Sequence, residues 1–184
     1  VFPAERAGSL VHPLRRLVQS PSRAVAAMGL AADARVLEVG SGPGYFSPFI
    51  AGAVPQGQLT LVDVQTEMLA AARLRLPRVA NVSYATADAC ALPVRTASVD
   101  AVFLATVLGE VPDKDLCVEE VRRSLRPGGL LTIVETRRDS DFIPLASVCE
   151  LLARHGFSFV DRRGPPWQYA ARFRTGERAT TSTG

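Results

Sequence analysis

From Arg35 to Phe173, short apolar and β-branched runs alternate with segments whose apolar residues recur every three to four positions. Few folds accommodate that alternation. A strand followed by a helix and a second strand sets the two strands parallel, with the helix packed across one face of the sheet. Seven runs read as strands: Arg35–Val39, Gln58–Asp63, Asn81–Thr86, Val99–Leu104, Leu130–Glu135, Phe157–Val160 and Trp167–Phe173. Between them, Phe46–Ala53, Thr66–Leu74, Asp115–Leu125 and Pro144–His155 carry the helical period, as Leu116, Val118, Val121 and Leu125 show. Thr66, followed by Glu67, and Asp113 are the expected N-caps, and Pro127-Gly128-Gly129 is expected to stop a helix and return the chain to the sheet.

Upstream, Pro13–Val18 and Pro21–Leu30 read as two short helices, each opened by a proline. Three segments follow: a helical stretch over 1–34 that is a candidate lid, a main domain over 35–174, and a Thr/Ser/Gly-rich tail over 175–184 expected to be disordered. A chain of 184 residues that is 47% hydrophobic and 21% charged suits a single such domain. No apolar run approaches the roughly 20 residues that cross a bilayer. The start, Val-Phe-Pro-Ala-Glu-Arg, lacks a basic-then-apolar pattern. Cys90, Cys117 and Cys149 are an odd number without C-x-x-C spacing, which signals neither a disulfide framework nor a zinc site. Reduced thiols and a cytoplasmic location are therefore expected, with no metal. The net charge is +3, Lys114 is the only lysine, and the arginines are scattered along the chain. No basic block with interleaved aromatics marks a nucleic-acid partner.

The most informative stretch is Val36-Leu37-Glu38-Val39-Gly40-Ser41-Gly42-Pro43-Gly44-Tyr45-Phe46, a strand running through a glycine loop into a helix. In a parallel sheet that loop lies at the carboxyl end of a strand, where such folds bind nucleotide-like ligands. The next strand ends in Asp63, roughly 20 residues on, the spacing of a carboxylate that takes ribose hydroxyls. Loop and acid together suggest an adenosine-bearing cofactor. The dinucleotide pattern G-x-G-x-x-G/A is broken by Tyr45 in its third small-residue slot, and no Gly-Lys-Ser/Thr of a P-loop follows. What stands is G-x-G-x-G with Glu38 two residues ahead of Gly40, a pattern that a ligand-free tight turn also satisfies.

With its flanking blocks the sequence resembles the class I S-adenosylmethionine (SAM) dependent methyltransferases, in particular the small methyltransferases related to the ubiquinone/menaquinone C-methyltransferases. Five blocks carry the resemblance, in order, over roughly Arg35 to Glu135: Val36 to Gly44; Leu61-Val62-Asp63-Val64 with Met68 and Leu69; Ala87-Asp88-Ala89 with Leu92-Pro93; Leu108-Gly109-Glu110-Val111-Pro112-Asp113; and Leu125-Arg126-Pro127-Gly128-Gly129. The resemblance implies a Rossmann-like α/β fold, a seven-stranded, mostly parallel sheet with helices on both faces and its last strand antiparallel. It implies SAM as cofactor and S-adenosylhomocysteine as product. Glu38 and the amides of Gly40, Ser41, Gly42 and Gly44 would hold the methionine part. Asp63 would take the ribose hydroxyls, Val64 would pack on adenine, and Met68 belongs to the same block. Asp88 would accept the adenine amino hydrogens while the Ala89 amide reaches a ring nitrogen, and Leu104 and Ala105 would lie beneath the methyl donor. Asp63 and Asp88 each have an alternative as turn or cap acids.

Methyl transfer from a sulfonium chiefly requires two reactants held in near-attack geometry, so no universal catalytic residue is expected. For an acceptor that must lose a proton, the candidate bases are Glu110, His12, His155 and Tyr169. His155, just before Gly156, reads better as a helix cap. Tyr169 and Trp167 either shape an acceptor pocket or are core and edge aromatics. His12, Arg15 and Arg16 lie on the candidate lid, where an arginine suits a carboxylate or an anionic acceptor. The Asn/Asp-Pro-Pro-Tyr/Phe block of DNA amino methyltransferases is absent after the fourth strand, where Ala105-Thr106-Val107-Leu108 stands. The cysteines have no motif as nucleophiles and read as small core thiols. The sequence thus reads as a SAM-dependent methyltransferase acting on an unidentified small or medium-sized acceptor. The alternative is a catalytically silent SAM- or nucleotide-binding regulatory module.

Overall fold

The computed structural model describes residues 20–76 and 79–176. All seven expected strands are present: β1 (Arg35–Val39), β2 (Gln58–Asp63), β3 (Val82–Thr86), β4 (Val99–Ala105), β5 (Leu125–Thr136), β6 (Phe157–Arg163) and β7 (Gln168–Thr175). They form one sheet in the order β3-β2-β1-β4-β5-β7-β6. Strands β1 to β5 pair in parallel, and β7 runs antiparallel to both β5 and β6. The order reverses between β1 and β4, which opens a crevice at the carboxyl ends of those two strands.

Alternate residues of each strand feed opposite faces. Leu37, Val39, Val102, Leu104, Leu131 and Ile133 pack under helices α4 (Lys114–Ser124) and α5 (Leu145–Arg154), which contribute Val118, Val121 and Leu152. Val36, Leu59, Leu61, Phe103 and Val134 face the other way, against α1 (Pro21–Met28), α2 (Ser47–Ala53) and α3 (Thr66–Arg75), which contribute Met28, Ile50 and Ala72. Both faces of the central strands are therefore dry, which is why those strands read as continuous apolar runs.

Two expected helix ends fall differently. Thr66 is the first helical residue of α3, Gln65 holds the cap position without a side-chain bond, and the Thr66 hydroxyl lies 3.4 Å from that of Thr86. A threonine preceding a glutamate does not itself choose between those adjacent positions. Pro127-Gly128-Gly129 does not stop a helix: α4 ends at Ser124, and the prolyl-glycyl segment is an irregularity inside β5, where pairing with β4 shifts between Val99 and Ala101. Asp113 caps α4 as expected, accepting from the Leu116 amide at 2.9 Å. Of the helical stretch over 1–34, α1 buries Pro21, Ala24, Val25 and Met28 in the core. β7 continues to Thr175, whose register partner is Phe157. Pro13–Val18, His12, Arg15, Arg16 and residues 177–184 lie outside the described residues.

Candidate functional site

The glycine loop leaves β1 at the switch point and re-enters the fold as α2. Gly40 and Gly42 have φ of 64° and 51°, in the left-handed region that side chains disfavour. At Gly40 the need is double, because a β-carbon there would also run into Val107 on the loop after β4. The loop is tied at three points: Ser41 N donates to Val62 O at 3.1 Å, Gly44 N to Ser41 O at 3.1 Å, and Gly42 N to the Asp63 carboxylate at 2.8 Å. The hydroxyl of buried Ser41 meets no partner among the described residues, an orphan in the middle of the glycine loop.

Glu38 is 2% exposed and accepts a hydrogen bond from the Ser47 hydroxyl at 2.6 Å. Burial pushes its carboxyl up to about 8, against the Ser47 bond and with a smaller push from the Asp63 charge. Asp63 closes β2 one strand away. Its two oxygens accept from the amides of Gly42 at 2.8 Å and Gln65 at 2.9 Å, and burial still raises its pKa. The Val64 amide also bonds this carboxylate, so of its roughly four lone-pair sites about one remains for a hydroxyl of a ligand. Val64, next in sequence, is 53% exposed, an apolar face beside the acid. Glu38 and Asp63 thus flank a glycine loop whose Ser41, Gly42 and Gly44 amides are taken up within the fold and whose Ser41 hydroxyl has no partner among the described residues.

The remaining expected positions divide. Asp88 is exposed and accepts from the Cys90 amide at 2.8 Å, the geometry of a turn acid, and its carboxylate also hydrogen-bonds the Cys90 thiol. Met68 is buried in α3 at 2% exposure. Leu104 is buried and Ala105 half-buried at the end of β4. Glu110 sits half-buried on the loop after β4, with its amide on Val107 O at 3.0 Å. Tyr169 is 1% exposed, its hydroxyl donates to Ile143 O at 2.8 Å, and burial raises its pKa, so it is a core residue. His155 caps α5 and holds Asp115 of α4 at 2.7 Å. Cys117 is fully buried, with its thiol pushed up to about 12, and Cys90 and Cys149 are also raised by burial, as befits packing thiols.

Three contributors were not singled out from sequence. Ser47 donates its hydroxyl to the Glu38 carboxyl; its signal is a polar residue at a helix position that otherwise faces the sheet. Thr106 takes φ of 55° immediately beyond β4, held by its amide on Val134 O at 2.8 Å, and a non-glycine residue there stores roughly 1–2 kcal/mol. Its strain turns the chain so that Val107 reaches Gly40. Glu135, at the carboxyl end of β5, is 1% exposed with one oxygen unpartnered, and burial pushes it up to about 8 against a bond from the Ile143 amide. Its signal is the acid that ends the apolar run Leu130 to Val134.

The family model of the methyltransferase domain matches residues 37–133. The ubiquinone/menaquinone biosynthesis C-methyltransferase UbiE of Hahella chejuensis is 36% identical over 111 residues, which are 58% of this chain and 45% of that protein. An uncharacterized 37.1 kDa protein in transposon TN4556 of Streptomyces fradiae is 35% identical over 141 residues, 73% of this chain and 41% of that protein. The chain spans less than half the length of these relatives. A SAM-dependent methyltransferase from Aquifex aeolicus superposes with a TM-score of 0.83 at 22% identity, covering 95% of this chain and 98% of its own. The [4+2]-cyclase SpnF superposes at 0.74 and 21% identity, covering 85% and 80%. These two likenesses show a shared fold. The residues matched by the family model run from β1 into β5 and contain the glycine loop, Asp63, Asp88 and the end of β4, so this chain belongs to the methyltransferase domain family.

Proposed function

We propose that this chain is a SAM-dependent methyltransferase that binds its cofactor across the carboxyl ends of β1 and β2 and methylates a small or medium-sized acceptor lying over β4. The observation that carries it is the convergence of buried Glu38, the orphaned Ser41 hydroxyl and Asp63 on one glycine loop. SAM supplies a methyl group already activated on a sulfonium. Glu38 would face the cofactor's ammonium, the unpartnered Ser41 hydroxyl on the glycine loop would face its carboxylate, and Asp63 would take the ribose hydroxyls. Val64 lies against adenine, and Asp88 with the Ala89 amide reads its edge. Leu104, Ala105 and strained Thr106 form the floor on which the acceptor is brought in line, which is where positioning contributes to the rate. Tyr169 has no part in proton transfer, and Glu110 is the base candidate on the acceptor side. The free thiols of Cys90, Cys117 and Cys149 suit a reducing compartment, and a cytoplasmic location is part of the same proposal.

Calorimetric titration with SAM, S-adenosylhomocysteine and NAD tests the reading. Saturable binding of the first two and none of NAD is expected. Asp63→Ala is expected to weaken SAM at least tenfold, as loss of a hydrogen bond to a charged group, about 1.5–3 kcal/mol, requires. NAD binding, or unchanged SAM affinity in a folded Asp63→Ala protein, would overturn the site. The SpnF likeness makes a non-methylating use of the same fold the second reading; SAM binding without transfer to any acceptor in a labelled-methyl screen would favour it.

A further inference from the structure

Among the described residues several arginines are paired with acids, Arg122 and Arg174 donate to carbonyls, Arg73 lies over the Tyr84 ring, and others, Arg23, Arg75 and Arg95 included, stand without an acid partner. Arg123 is matched to Glu120, Arg126 to Asp100, Arg154 to Asp115 and Arg172 to Asp161. Arg137, Arg138 and Arg162 are exposed, and among the described residues their guanidinium groups take no partner. These three stand at one end of the sheet. Arg137 and Arg138 follow β5 at its carboxyl end, and Arg162 and Arg163 close β6, which runs in the same direction. Trp167, 59% exposed, lies on the turn between β6 and β7, and its carbonyl accepts from the Arg137 amide at 2.8 Å, so the two segments are joined directly.

Of the acids nearby only Asp161 is paired with arginine, and Asp139 and Asp141 keep their charge while accepting from neutral donors. Asp161 is held by both Arg172 nitrogens at 2.8 and 2.7 Å, with Arg163 at 4.0 Å, while Asp139 accepts from the Asp141 amide and Asp141 from the Ser140 hydroxyl, each at 3.3 Å. Charged residues on an outer strand guard against edge pairing, and that reading covers Arg162 and Arg163. It does not cover Arg137, Arg138 or Trp167, which flank the paired strands β5 and β7. A large exposed aromatic beside unmatched guanidinium groups is a recognition surface, with forks for an oxyanion and a ring face for stacking.

Its place in the fold says what it recognises. The glycine loop opens at the same end of the sheet, and from β4 to β6 there are three strand spacings, about 14 Å. Resting on the methyltransferase reading above, we propose that this Arg–Trp surface holds the distal end of the methyl acceptor, and that this end carries a phosphate or diphosphate group. A single carboxylate occupies one guanidinium fork; a phosphoryl group has oxygens for several. The acceptor is a soluble phosphate-bearing molecule with its reacting end over β4.

Trp167 is the only tryptophan of the chain, so its fluorescence reads this surface without any assay of methylation. The full chain is titrated with inorganic pyrophosphate at constant ionic strength, balanced with chloride. A saturable change at millimolar concentration or below is expected, weakened at least tenfold in Arg137→Ala/Arg162→Ala. The same variant is expected to melt as the parent does and to keep its SAM affinity by calorimetry. A response without saturation, a response untouched in the variant, or a response to anionic phospholipid vesicles or single-stranded RNA with none to pyrophosphate would overturn the proposal. Failure of the parent to bind SAM, with pyrophosphate still saturable, would instead strike the methyltransferase reading and leave the anion site standing.

Discussion

Two buried glutamates on opposite faces of the same sheet carry the protein's pH dependence. Glu38 lies where the cofactor's ammonium is assigned, and in the free protein it holds its proton up to about pH 8. Binding a cation there requires the ionised form. Between pH 6 and 8 SAM binding is therefore expected to release a proton and to strengthen by up to about tenfold per pH unit, levelling above 8. Calorimetry in two buffers of different ionisation enthalpy measures the release, and Glu38→Gln should abolish it; a flat affinity across this range would refute the assignment. Glu135 acts on stability instead. Burial raises its carboxyl from the ordinary glutamate value of 4.5 to about 8 in the folded chain, so the folded state binds the proton more tightly. Its contribution is complete below about pH 4.5 and is lost as pH rises through 8, by at most roughly 1.4 kcal/mol per unit. Urea denaturation at pH 5 and pH 8 should show the parent losing more stability than Glu135→Gln over that interval; equal losses would mean that the carboxyl is not held neutral.

Among the elements, the loop between β1 and α2 shows how a weak motif becomes a specific one. Gly40 and Gly42 both need positive φ, yet they differ in surroundings: a β-carbon at Gly42 meets nothing within 4 Å, whereas at Gly40 it meets Val107. Gly42→Ala is expected to cost only the backbone strain, about 1–2 kcal/mol. Gly40→Ala should cost more, and Val107→Ala in the same chain should restore part of the loss in thermal melts. Additive effects of the two substitutions would show that the loops do not touch. The spacing of the glycines and Asp63 was legible along the chain because it is local. The role of Thr106 was not, because its left-handed backbone is imposed by pairing with Val134 and by contact with a loop more than sixty residues earlier.

At the scale of the molecule, ligand binding and folding are linked. SAM at a hundred times its dissociation constant should stabilise the chain by about 2.7 kcal/mol and raise the melting midpoint by roughly 5–10 °C. NAD should leave it unmoved, and differential scanning fluorimetry separates the two outcomes. The shift reports on the whole sheet, since Glu38 and Asp63 lie on adjoining central strands with both faces buried.

The alternation of strand and helix periods, the strand boundaries, the glycine loop and the acid at the end of β2 are written in the sequence, because period, turn chemistry and short spacings are properties of neighbouring residues. Three things depended on the tertiary structure. Burial decided that Tyr169 belongs to the core and that Glu38 and Glu135 keep their protons near neutrality, since desolvation depends on what other segments cover. Helix packing placed α1 against the sheet. Strand order brought Arg137, Arg138 and Arg162 to one end beside Trp167, although along the chain they look scattered: in a sheet whose neighbours are not consecutive, proximity is set by pairing and not by distance in sequence.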